Sequence, residues 1–109
     1  MNEITLLYFD GCPSWQPVLE NLKKVIEAER IQAKITLLKI DDPEKAQRER
    51  FLGSPSIRFN GIDLWPEERT DYTLNCRVYK TPTGMKGSPT IEMLRERLRE
   101  VLYSAGKTN

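Results

Sequence analysis

Two cysteines and no histidine set the chemistry open to this chain. Cys12 lies in "DGCPSW" (10–15), and Cys76 opens "CRVYKT" (76–81). Without histidine there is no Ser-His-Asp or Cys-His catalysis and no histidine-containing zinc site. Two cysteines do not complete a structural zinc site, and they are too few for a secreted disulfide framework. Thiol chemistry remains. Because the thiolate is the form that attacks a disulfide, the question at each sulfur is what favours the anion.

Cys12 stands just before a helical pattern. Trp15, Val18, Leu19, Leu22, Val25 and Ile26 recur at intervals of three and four, which predicts a helix from Pro13 to about Glu29. The unpaired N–H groups at its leading end favour negative charge by ~0.3–1 kcal/mol when exposed and by up to ~2 kcal/mol when partly buried. Asp10 opposes this from two residues away, and no lysine or arginine lies within the motif. On the residues alone, Cys12 is either a modestly reactive thiol or a small apolar filler at a strand end. Trp15 is open in the same way: it packs on the apolar stripe, or it walls a groove beside the sulfur.

The elements that position these residues follow from pattern. Segments 3–9, "EITLLYF", and 33–40, "AKITLLKI", are apolar on both parities and rich in strand formers. "DDPEKAQRERFLG" (41–53) predicts a short helix capped by Asp42, with Pro43 at its first position and Gly53 ending it in the left-handed conformation. "SIRFNGIDL" (56–64) predicts a hairpin turning at Asn60-Gly61. Residues 65–75 read as a polar loop, 76–81 as another strand, and "PTGMKGSP" (82–89) as a Gly/Pro-rich loop. Thr90 is the expected N-cap of a last helix with an Ile91, Leu94, Leu98, Val101 and Leu102 stripe. Its opposite face offers Glu92–Arg95 and Glu96–Arg99 pairs. The order is β-α-β-α-β-β-α: an α/β fold with a mixed central sheet, its first two strands parallel, and helices on both faces.

At 109 residues the chain is expected to be one domain, 1–109. With 39% hydrophobic and 30% charged residues, it is expected to be globular and soluble. A formal charge of +1 gives no electrostatic case for nucleic acid or an anionic membrane. The longest apolar run, "ITLLYF", is far short of the ~20 residues that cross a bilayer, and the first strand begins too early for a leader, so a cytoplasmic location is expected.

In this order of elements, and in two motifs, the chain resembles the thioredoxin-like superfamily over almost its whole length. "DGCPSW" stands where that family carries C-x-x-C after the first strand, and "GSPS" (53–56) stands where it carries Gly-X-Pro before the third. The closer likeness is to small bacterial thioredoxin-like proteins with a "GCPxW" start and a later "CRVY". The resemblance implies thiol-disulfide oxidoreductase activity of monothiol type. Cys12 becomes the exposed nucleophile and Pro55 a cis-proline facing it. Ser54 presents its backbone to a bound substrate, and Pro13 and Trp15 flank the thiol. Trp15 occupies the resolving cysteine's place, so a mixed disulfide at Cys12 must be resolved by Cys76 or by an external thiol such as glutathione. The implied partner is a thiol or disulfide substrate, a protein among the candidates, and no resident cofactor or metal is implied. The alternative is a redox-inactive peptide- or protein-binding module on the same fold.

Whether Cys76 can act depends on the path of 65–75. If 76–81 is a strand simply antiparallel to the third, Cys76 starts at the far end from Cys12. If 65–75 folds back over the site, the two sulfurs can bridge, which needs Cα atoms ~4.4–6.8 Å apart. Trp65, Tyr72 and Met85 lie on loops that either border the same groove or anchor long connections.

Overall fold

In a computed structural model describing residues 2–107, with side chains through 103, the elements are β1 (Asn2–Tyr8), α1 (Trp15–Ala28), β2 (Ala33–Lys39), α2 (Pro43–Glu49), β3 (Ser56–Phe59), β4 (Ile62–Asp63), β5 (Tyr79–Thr81), β6 (Gly84–Lys86) and α3 (Ile91–Lys107). Four strands form one mixed sheet in the order β2-β1-β3-β4. β1 and β2 run parallel, in register from Asn2↔Ala33 to Tyr8↔Lys39, while β3 is antiparallel to β1. The β3–β4 hairpin turns at Asn60 and Gly61, both at positive φ (50° and 89°), as a tight turn of this kind requires.

Strand parity sorts the core into two faces. Ile4 and Leu6 of β1 point to one face, against Val18, Leu22 and Val25 of α1 and Leu94 and Leu98 of α3. Leu7 points to the other face, against Ile40, Ala46 and Phe51 around α2. Both faces are therefore covered by helices, as expected, and both β1 parities are apolar for that reason. Among the described residues no helix is long and apolar enough to cross a membrane.

The caps largely follow the sequence. Asp42 accepts the Lys45 N–H at 2.7 Å and Thr90 accepts the Met93 N–H at 3.1 Å. The end of α2 differs from expectation. Arg50 ends the helix in the left-handed conformation (φ 54°), and Gly53, also at positive φ, lies three residues beyond the cap. The turn there drives Phe51, fully buried, under the helix, and its N–H bonds to the Ala46 carbonyl at 2.9 Å. Glu92–Arg95 pair at 3.0 Å as read, but Arg99 leaves Glu96 and binds Glu29 through two nitrogens (2.6 and 3.0 Å), tying α3 to the end of α1.

The largest departure is in 76–89. The expected strand is shorter, Tyr79–Thr81, and pairs with β6 from the supposed loop as a separate two-stranded ribbon. Thr81 staples that turn: its hydroxyl donates to the Gly84 carbonyl at 2.6 Å and accepts the Thr83 N–H at 3.3 Å. Residues 75–77 are thereby free of the ribbon and run alongside Ser54.

Candidate functional site

The site is built where β1 hands over to α1. The Cys12 N–H bonds back to the Phe9 carbonyl at 3.2 Å, which folds the chain tightly after the strand. A Cβ on Gly11 would come 2.7 Å from the Phe9 ring, so a larger residue at this corner would have to push that ring aside. The Ser54–Pro55 bond is cis, as the "GSPS" likeness implied. The Cys12 thiol donates to the Ser54 carbonyl at 3.3 Å, so the residue before the proline and the cysteine are in contact.

Two expectations are corrected here. Cys12 was expected exposed and is 1% exposed. Ser54 was expected to offer its backbone to a substrate, and both its groups are already paired within the chain. Its N–H bonds to the Asn75 carbonyl, and its carbonyl accepts the Arg77 N–H, each at 2.9 Å. This is a short parallel bridge with Cys76 opposite Ser54. The second correction has a plain cause: the segment 75–77 occupies the backbone edge of Ser54. The fold-back alternative for 65–75 is the one realised.

The same bridge brings the second thiol into place. Cys76 is exposed, both cysteines are free thiols, and both residues lie against Ser54: the Cys12 thiol donates to its carbonyl and Cys76 is its partner in the bridge, near enough that each thiol shifts the other's titration. Burial pushes the Cys12 thiol up, but hydrogen bonds from Cys76, from the Ser14 backbone and from the Ser54 and Ser14 side chains outweigh it. The net position is below the ordinary value of 9.0. Cys76 moves the opposite way: its hydrogen bond to Cys12 comes first, then burial, then the charge on Cys12, and its thiol is raised. The Ser54 hydroxyl supports this division. It is buried and has no partner among the described residues while Cys12 stays protonated, and a thiolate at Cys12 supplies one. Asp10, the expected opponent, is neutralised from β2 by Lys39 at 2.7 Å.

What holds 75–79 in position is a buried charge cluster that the sequence reading missed. The Arg77 side chain is 2% exposed and meets both Asp63 carboxylate oxygens, at 3.1 and 3.0 Å. It also donates to the Ser56 hydroxyl at 3.2 Å and to the Trp65 carbonyl, pairs with Glu67 at 3.4 Å, and lies over the Tyr79 ring. The Tyr79 hydroxyl donates to the Pro55 carbonyl at 2.5 Å. Burial pushes the Asp63 carboxyl up, and Arg77 pulls it only part of the way back. Gly53 permits the close approach: at φ 112°, a Cβ there would lie 2.9 Å from the Arg77 Cβ and 3.0 Å from its Cα. The available signal was alternation in "CRVY", with Cys76 and Val78 outward and Arg77 and Tyr79 inward.

The flanking residues divide between packing and surface. Trp15 is half-buried and stacks on Tyr8, ring centroids 4.1 Å apart, while also packing on the α1–α3 core. Pro13 is exposed and lines, with Trp15 and Leu37, a shallow groove at the start of α1. Trp65 packs edge-on against Tyr79 at 5.3 Å, so it anchors residues 75–79, the strap that pairs with Ser54. The Tyr72 hydroxyl binds the Arg69 carbonyl within its own loop, and Met85 is exposed on the ribbon. No family model matches the chain, and no curated protein matches it in sequence.

Proposed function

We propose that this chain is a thiol-disulfide oxidoreductase of thioredoxin-like fold, working through a Cys12–Cys76 pair instead of as a monothiol. The observation that carries the reading is the placement of two free thiol residues against Ser54, beside a cis-proline, with the buried one drawn toward thiolate and the exposed one raised. In the reduced form the Cys12 thiolate is held by Cys76, Ser14 and Ser54. Oxidation joins the two sulfurs covalently, between residues that Ser54 already holds side by side. Cys76 thus takes the resolving part that Trp15 cannot play. Glutathione or another small thiol is the proposed electron donor or acceptor.

The competing reading, a redox-inactive module that binds an extended peptide, lacks its docking edge, because Asn75 and Arg77 already pair with Ser54. Assaying reduction of a small mixed disulfide by glutathione tests the proposal. Wild-type protein should accelerate the reaction at catalytic amounts, while Cys12→Ser and Cys76→Ser should each lose that acceleration. Equal rates for wild type and both variants would end the proposal.

A further inference from the structure

We propose that Cys76, not Cys12, is the sulfur that exchanges with substrate, and that the substrate is a small thiol or disulfide arriving from solvent. This rests on the oxidoreductase reading and reverses the order in which the two sulfurs were expected to act. Thiol-disulfide exchange needs the incoming sulfur to reach the one it attacks. Cys12 is 1% exposed beneath the strap, whereas Cys76 is exposed on it. Substrate class follows from the same segment. An extended peptide would need Ser54's backbone groups, and both are committed to residues 75 and 77. Freeing them means pulling Arg77, 2% exposed, away from Asp63 and breaking the Tyr79–Pro55 bond. A small molecule needs none of this.

The exchange balances in both directions. In the oxidised protein a substrate thiolate attacks the Cys76 sulfur: a Cys76–substrate S–S bond forms, the Cys12–Cys76 bond breaks, and the electron pair leaves on Cys12. Cys12 suits departure, since the better-stabilised thiolate leaves faster. A second substrate thiolate then attacks the substrate sulfur of the adduct. The small disulfide is released, and the Cys76 thiolate takes a proton from water. In reverse, Cys76 first gives its proton to water; its thiolate then opens a small disulfide and expels one substrate thiolate. Cys12 then attacks the Cys76 sulfur of the adduct, closing the bridge and expelling the second.

Mapping of glutathione adducts tests the assignment. Reduced full-length Cys12→Ser and Cys76→Ser, each checked for native near-ultraviolet circular dichroism, are exposed to glutathione disulfide and followed by mass spectrometry. Cys12→Ser should accumulate the adduct at Cys76 at least tenfold faster than Cys76→Ser acquires one at Cys12. An adduct at Cys12 forming as fast or faster overturns the assignment even if wild type still closes its bridge. If wild type instead retains an adduct at Cys76 and never closes the bridge, the paired-thiol oxidoreductase reading fails while Cys76 stands as the exchanging sulfur.

Discussion

Closing the Cys12–Cys76 bridge should stabilise the fold by an amount that its position in the chain sets. The bridge closes a loop of roughly 65 residues, and the loss of chain entropy in the unfolded state is then worth about 4 kcal/mol. Native geometry subtracts little, because Ser54 already holds both segments side by side. For a domain of about this size, ~1 kcal/mol moves the melting temperature by about 4 °C, so oxidised protein should melt roughly 15 °C above reduced protein. The gap should also depend on pH, since only the reduced form titrates at these sulfurs. Cys12 lies below its ordinary value of 9.0 in the fold. It therefore stabilises reduced protein fully above pH 9, and that stabilisation is lost as pH falls through the folded value. Cys76 is raised. Its contribution is complete below pH 9 and is lost as pH climbs through its folded value. The oxidised-minus-reduced difference should thus narrow from neutral pH toward 9 and widen beyond it. Differential scanning fluorimetry on both redox forms, with Cys12→Ser as the control that shows no difference, measures this directly. Equal melting temperatures, or a lower one for the oxidised form, would refute the reasoning.

Other outcomes follow from the cluster beneath the strap. Arg77→Met leaves the Asp63 carboxylate buried without its partner and should cost about 3–5 kcal/mol in urea denaturation; Asp63→Asn in the same chain should recover part of it. Gly53→Ala places a methyl group against Arg77 at a positive φ and should destabilise by more than about 1 kcal/mol, with faster proteolysis after Arg77. Ser54→Ala removes a hydroxyl that has no partner until Cys12 ionises. Its stability near neutral pH should change little, while the ultraviolet thiolate transition of Cys12 moves to higher pH.

The elements built from local pattern were legible in the sequence. Strand composition in 3–9 and 33–40, the Trp15–Ile26 stripe, Asn60-Gly61, Asp42 and Thr90 each act within a few residues, so a single segment carries the information. The α2 terminus was misread because burial of Phe51 outweighs the preference for glycine at a left-handed position. The site was half legible. Cys12 and the cis Pro55 lie in motifs, but the occupied edge of Ser54 and the arrival of Cys76 depend on where Asn75–Arg77 settles. That in turn depends on Arg77 finding Asp63 and Tyr79 finding Pro55, pairs distant in sequence that neither periodicity nor capping encodes. Lys39 shows the same limit. It cancels Asp10 only because parallel pairing brings the ends of β1 and β2 together.

The measurement that bears most directly on all of this is a redox titration of the full chain in glutathione buffers, quenched with acid and mapped by peptide mass spectrometry. One reversible transition, with Cys12 and Cys76 linked to each other in the monomer at the oxidising end, is the predicted result. Oxidation that yields only intermolecular dimers or separate adducts, with no peptide joining residues 12 and 76, would contradict it.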